Sequence, residues 1–235
     1  MAASVLMMLL IYSCQPVEKP VDSSFDLQLT EQEKEGGTMS PEILWKFRRM
    51  GNIAASPDGK TVLFTLTDYN LENENRRTNI FSIPSAGGEK VQLTDTGGSS
   101  PSWIMNGKKI AYKSGGHLWT MNPDGSSRKK IANMDDFEIY SVSPEGDMIY
   151  FTRRVKLDET PNEKHDMPLA NMRIIDDLMF RHWNYWHDYS YSHIFIASFD
   201  GDAVSGEKDI MEGQRFESPT SPWFDPAEIC WGPEG

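Results

Sequence analysis

Ser141-Val142-Ser143-Pro144-Glu145-Gly146-Asp147-Met148-Ile149-Tyr150-Phe151-Thr152 is the stretch on which the fold turns. It reads as the end of a strand, a tight turn and the start of a second strand. Pro144 presets φ for the first turn position and Gly146 can take φ > 0, the chemistry of a type I turn closed by a glycine bulge. Met148 to Thr152 is an apolar, β-rich run. The unit recurs. Ala55-Ser56-Pro57-Asp58-Gly59-Lys60 leads into Thr61-Val62-Leu63-Phe64-Thr65, and Trp103-Ile104-Met105-Asn106-Gly107-Lys108 leads into Lys109-Ile110-Ala111-Tyr112. Trp231-Gly232-Pro233-Glu234-Gly235 opens a fourth copy. Gly59 to Gly107 is 48 residues, Gly107 to Gly146 is 39 and Gly146 to Gly235 is 89. Repeats of roughly 40–50 residues with several short strands each are the signature of propeller blades. The last gap then holds a blade plus an insert. The chain reads as all-β, a partial β-propeller with blades of about four strands.

The expected blades run over about 53–94, 95–131 and 132–210, with an insert at 155–191 and the start of a further blade at 211–235. In the first, Thr61–Thr67 and Asn79–Pro84 are strands, separated by a polar loop, Asp68–Thr78, and Val91–Thr94 closes the blade. The second repeats the order with Lys109–Lys113, a Ser114-Gly115-Gly116 turn, His117–Met121, an Asn122-Pro123-Asp124-Gly125 turn and Lys130-Ile131. Each copy hides an apolar face that only its neighbours can cover. An open array leaves an unpaired sheet edge at each end, so the isolated chain is expected to be marginally folded or prone to aggregate.

Ahead of the blades, Val5–Ile11 is an apolar run too short to span a bilayer and matching a signal-peptide core. It ends in Ile11-Tyr12-Ser13-Cys14, which resembles a bacterial lipoprotein box, although no Lys or Arg precedes the run and Tyr12 is bulky for its place. The expectation is an exported lipoprotein of the periplasm or outer membrane, lipidated at Cys14 and touching the membrane only through that anchor. Residues 15–38 read as a flexible tether. Ser40-Pro41-Glu42 starts a helix, with Ser40 as N-cap. Ile43, Leu44 and Phe47 form its stripe, Arg48 and Arg49 suit its C-terminal end, and Gly51 can terminate it.

The net charge of −12 supplies no basic face to displace counterions from phosphates, so nucleic acid is not an expected partner. Cys14 and Cys230 are the only cysteines, and His182, His187, His193 and Asp188 lack metal-ligand spacing. No metal or other cofactor is expected.

Ser56-Pro57-Asp58-Gly59-Lys60 before a β run, with Leu118-Trp119-Thr120-Met121-Asn122-Pro123-Asp124-Gly125 further on, resembles the repeat of TolB-type propellers and of the prolyl oligopeptidase (S9) family. Met39–Lys46 and the Asp68–Asn75 loop resemble one branch, the exported serine peptidases of the dipeptidyl-peptidase 5 and acylaminoacyl-peptidase type, seen in Bacteroidetes-like bacteria. So does Asp176-Asp177-Leu178-Met179-Phe180-Arg181-His182-Trp183, in the insert. Within that insert Lys156–Pro168 reads as a charged loop, and Met172, Ile175 and Met179 have helical spacing, making an aromatic-rich helical insert.

The resemblance implies a cavity between propeller and hydrolase that holds short peptides. Asp176 or Asp177 would pair with a substrate ammonium there, and Arg181, Trp183 and Trp186 would help line it. The same aromatics could instead pack the insert onto the blade edge while the charges cap a helix. S9 peptidases need a serine on a strand-to-helix elbow followed by Asp and His, and the chain has no Gly-x-Ser-x-Gly. No catalytic residue is assigned. The chemistry is expected in an α/β-hydrolase domain downstream of the propeller, leaving these 235 residues inactive alone. The other reading is a non-catalytic, TolB-like binding scaffold at the envelope.

Overall fold

The structure is a computed structural model that describes Phe25, residues 27–176, Leu178 and residues 180–232. The expected signal core, Cys14, Asp177 and Gly235 lie outside the described residues. The described chain begins with two short helices, α1 (Glu31–Glu35) and α2 (Pro41–Lys46). Thr30 and Glu33 close a capping box on α1, so the end of the stretch expected to be a tether is helical. Lys46 ties the two helices together through Glu33, at 2.8 Å.

The first blade is β1 (Arg49–Ala55), β2 (Thr61–Asn70), β3 (Asn75–Pro84) and β4 (Val91–Gln92), antiparallel in sequence order. The second is β5 (Ser99–Ile104), β6 (Lys109–Ser114), β7 (His117–Met121) and β8 (Lys129–Asp135), in the same order. The third opens with β9 (Tyr140–Val142) and β10 (Met148–Lys156). An insert follows, with α3 (Pro161–Lys164), β11 (Arg181–His182) and β12 (Tyr185–Trp186). The blade then closes with β13 (Ser190–Phe199) and β14 (Val204–Asp209). This is the partial propeller expected from the repeat.

Three local expectations give way. The helix begins at Ser40 as expected, but it ends at Lys46 instead of running on towards Gly51, and Arg49 already pairs with Thr67 in the β1–β2 ladder. Arg49 still caps the helix, donating to the carbonyls of Leu44 and Phe47 at 3.2 and 3.1 Å. The Asp68–Thr78 loop is instead the tip of a long hairpin, because β2 and β3 pair as far as Asn70↔Asn75. Its polar residues satisfy one another across the strands. Thr67 and Thr78 share a 2.9 Å hydroxyl hydrogen bond, and the buried Asp68 sits between Arg48 and Arg77. In the insert, residues 169–176 carry no helix, and Ile174 and Ile175 are solvent-exposed. An apolar stripe with nothing to bury it against does not hold a helix. Among the described residues the insert's helix is α3, inside the Lys156–Pro168 stretch expected as a charged loop, because Thr160 and Glu163 form a capping box around Pro161.

The blades are held by two apolar cores, one at each blade-to-blade contact. Leu63, Ile80 and Leu93 of the first blade pack on Ile110, Tyr112 and Met121 of the second. On the other side of the second blade, Ala111, Leu118 and Ile131 meet Ile149, Phe151 and Phe195 of the third. Strand β6 shows the mechanism. With side chains alternating between faces, Ile110 and Tyr112 point to one neighbour and Ala111 to the other. A fully buried Ile or Phe side chain contributes about 1.5–3 kcal/mol, so these faces dominate the stability of the array.

The glycine turns that open each repeat also stack. Gly59 and Gly146 are left-handed (φ 69° and 85°), each donating its N–H to a serine carbonyl, Ser56 or Ser143, at 2.9–3.0 Å. A Cβ on Gly107 would lie 3.2 Å from Pro57 of the preceding blade's turn, and Met105 covers Gly146 and Gly201 of the following blade. Trp103 reaches back to donate its indole N–H to the Ala54 carbonyl at 3.2 Å. Trp231 donates to Ser141 Oγ at 3.2 Å and packs on Tyr150 at 5.4 Å. Trp103 and Trp231 each stand four residues before a repeat glycine, and Ala54 and Ser141 each stand five before the preceding one. Residues 229–232 therefore approach the third blade as the second approaches the first.

Gly125 offers a direct test of this close packing. It is left-handed (φ 83°), and a Cβ there would sit 3.0 Å from the Leu93 carbonyl of the neighbouring blade. Gly59 is also left-handed (φ 69°), but its Cβ position is open. In urea denaturation, Gly59→Ala is expected to cost about 1 kcal/mol from backbone strain alone. Gly125→Ala is expected to cost roughly 2–4 kcal/mol, since strain and backbone overlap add. Equal costs would contradict the interlocked turns.

Candidate functional site

The insert leaves β10 after Lys156 and returns at Ser190, so its walls are fixed by two paired strands, with Lys156↔Ser190 as the last rung. Residues 215–221 pass in front of it, pinned where the Ser218 N–H donates to the Ser192 carbonyl at 2.9 Å. Between them lies a cleft of about 1070 Å³. Four carboxylates (Asp158, Glu159, Asp176 and Glu217) and five aromatic rings (Phe180, Trp186, Tyr189, Tyr191 and Phe216) are among its lining residues.

The carboxylates divide into two pairs. Asp158 accepts from Tyr191 Oη at 3.1 Å and Arg215 Nε at 2.8 Å. Glu217 accepts from Arg154 Nη1 at 3.1 Å, while the other terminal nitrogen of Arg154 reaches Asp188 at 2.8 Å and the Ser190 carbonyl at 2.6 Å. These two are structural charges, neutralised where they stand. Asp176 and Glu159 have no hydrogen-bond or ion-pair partner among the described residues and line the same cleft. They are the carboxylates free to meet a cation.

The electrostatics follow from burial and pairing. Burial pushes the Asp188 carboxyl up, but the hydrogen bond and charge of Arg154 with two backbone contacts outweigh it and hold the group below its usual range. Burial, reinforced by its bond to Asp158, raises the Tyr191 phenol. Glu163, at the foot of the insert, is lowered to about 2, first by Lys156 and then by the N–H of Thr160.

Of the residues singled out in the sequence, Asp176 and Trp186 line the cleft. Arg181 stands over the Trp186 ring at 4.9 Å, as does Arg173 at 4.7 Å, so Trp186 is held by two guanidiniums. Arg181 also donates to the Trp183 carbonyl at 2.9 Å, closing the β11–β12 turn. Trp183 is apart from the cleft, left-handed (φ 50°) at that turn and stacked on His182 at 5.6 Å. Asp177 lies outside the described residues. His193 is fully buried and bonded to Asp209 and to the Gln214 carbonyl, both at 2.8 Å. Asp158, Glu159, Arg215 and Glu217 had no local signature. They reach the cleft because two distant segments meet beside the insert.

No family model matches the chain. It is 30% identical over 214 residues to dipeptidyl-peptidase 5 of Porphyromonas endodontalis, covering 88% of this chain and 31% of that protein. It is 32% identical over 208 residues to dipeptidyl-peptidase 5 of Porphyromonas gingivalis, covering 85% and 30%. The chain thus spans under a third of the length of these relatives. Among solved structures, an acylaminoacyl peptidase of Pyrococcus horikoshii superposes with a TM-score of 0.54 at 17% identity, over 71% of this chain and 26% of its own. The fold is therefore a partial β-propeller. Within that class, the sequence supports the propeller part of an S9-family peptidase of the dipeptidyl-peptidase 5 type.

Glu163 ties α3 to β10 through Lys156, and its titration reads that link. With its folded value depressed, its contribution is present above its ordinary value of 4.5 and is lost as pH falls towards about 2. An NMR titration of the Glu163 carboxyl is expected to give a midpoint near 2 in the native chain and a clearly higher one in Lys156→Gln. An unshifted midpoint in the variant would contradict the pairing.

Proposed function

We propose that this chain is the substrate-gating propeller of an exported serine exopeptidase that takes short peptides with a free N-terminus. Its hydrolytic chemistry belongs to a hydrolase domain outside these 235 residues. The observation that carries this reading is the 30–32% identity, over most of the chain, to two proteins named dipeptidyl-peptidase 5. The cleft supplies a physical role for the propeller. Asp176 and Glu159 offer unpaired negative charge to a peptide ammonium, and the surrounding rings offer apolar area to the first side chains. A cleft walled by the insert and residues 215–221 at the end of a blade admits an extended peptide and excludes a folded protein. Anchoring through Cys14 would hold the enzyme at the envelope, where short peptides arrive from outside.

The test uses the full-length protein and chromogenic dipeptidyl substrates with free and acetylated N-termini. Free-amine substrates are expected to be cleaved and acetylated ones poorly, and Asp176→Asn is expected to lower kcat/KM for the free-amine series by about tenfold. Palmitate labelling of the same protein is expected to disappear in Cys14→Ala. Absence of dipeptidyl cleavage overturns the enzymatic reading. An unchanged Asp176→Asn removes that residue from ammonium binding, and persistent labelling removes the anchor.

A further inference from the structure

A second concave site lies between the first two blades, and unlike the insert cleft it has no carboxylate among its described lining residues. It arises from a mismatch in strand length. β2 and β3 are ten residues each, whereas β6 ends after six at the Gly115-Gly116 turn. The second blade therefore cannot cover the far end of the first, and a pocket of about 500 Å³ remains. That volume is within the range of roughly 300–1,000 Å³ usual for small-molecule sites.

The face left open is the continuation of the buried one. Along β2, Leu63 and Thr65 are buried towards the second blade, and Thr67 is next on that face. Along β3, Ile80 is followed outward on the same face by Thr78 and Arg76. The register sets Arg49, Thr67 and Thr78 in one row across three strands. The stripe thus changes from apolar to hydroxyl and guanidinium where the neighbouring blade stops.

No Asp or Glu is among the described residues lining this pocket, although the chain carries a net charge of −12. Arg49 is occupied only by carbonyls and the Trp45 ring, so its charge is uncompensated by any carboxylate described. Arg76 lines the pocket, and no described group bonds to its guanidinium. Lys113 contributes its stem, because its ammonium is turned to the carbonyls of Phe137 and Glu138. A guanidinium with no described partner, next to the Thr67–Thr78 hydroxyl pair and one strand from the Arg49 charge, suits a planar oxyanion.

We propose that this pocket binds the carboxylate of a small molecule, with Arg76 as the principal contact and Arg49 and the Thr67–Thr78 pair beside it. The site also has a meaningful position. The glycine turns of adjacent blades touch one another, so β2, β6 and β10 all run away from the same face. Their far ends carry this pocket and the insert cleft. Both open on the face opposite the turns.

The experiment is isothermal titration calorimetry of the full-length protein with N-acetylalanine and N-acetylalaninamide, which differ only in the carboxylate. Saturable binding of the acid at millimolar concentration is expected, weakened by added salt, with none of the amide. Arg76→Gln is expected to weaken binding by about tenfold or more, and Arg76→Lys by less, with the thermal melt unchanged in both. Equal binding of acid and amide overturns the proposal, and so does binding of neither. Wild-type affinity in Arg76→Gln does the same. The acid-amide comparison stands even if the variants fail to fold.

Discussion

Contact between the apolar faces of adjacent four-stranded sheets is the interaction on which the rest of this structure depends. No blade buries both of its faces by itself. Strand β6 makes the point most sharply, since Ile110 and Ala111, one residue apart, belong to different cores. A sheet in that position is stable only while both neighbours are present, the nearest-neighbour logic of repeat proteins. The interlocked turns add precision. Gly125 against Leu93 and Met105 over Gly146 leave little freedom for one blade to slide on the next.

The two clefts are consequences of the same packing rule, because they form where sheets fail to match. The first blade overhangs the second, and its uncovered end carries Arg76, Thr67 and Thr78 in place of the leucine and isoleucine deeper in the face. The third blade has a 33-residue excursion between Lys156 and Ser190, and its acidic, aromatic cleft fills the space beside the blade. Their charge differs, since carboxylates line only the second of them among the described residues, together with Lys164, Arg173 and Arg215. The pocket on the overhang has guanidiniums with no carboxylate described, and the insert cleft has carboxylates that the described guanidiniums only partly neutralise.

The blades were legible because their turns are chemically demanding. Only a residue free to take φ > 0 closes them, so glycine recurs at Gly59, Gly107 and Gly146 whatever else varies. Trp231 shows how far that register extends, since its place relative to Ser141 follows from counting back from the repeat glycine. What was not legible was polar structure stabilised across strands. Residues 68–78 look like loop because most of their side chains are charged or amidic, yet Thr67 with Thr78 and Asp68 with Arg77 make them a hairpin. The spacing of Met172 and Ile175 promised a helix, but an amphipathic stripe needs a surface to meet, and Ile175 stays exposed. In the cleft, Asp176 and Trp186 were legible from the density of charge and aromatics around them. Glu159 and Glu217 were not, because only the tertiary path of residues 215–221 brings them together.

The blades stabilise one another through separate faces, and hydrogen–deuterium exchange reads this strand by strand. Ile110→Ala opens the core shared with the first blade, and Phe151→Ala opens the core shared with the third. Faster exchange is expected mainly in β2 and β3 for the first variant and mainly in β10 and β13 for the second. Identical, chain-wide loss of protection in both variants, or none in either, would contradict an array built from face-to-face blades.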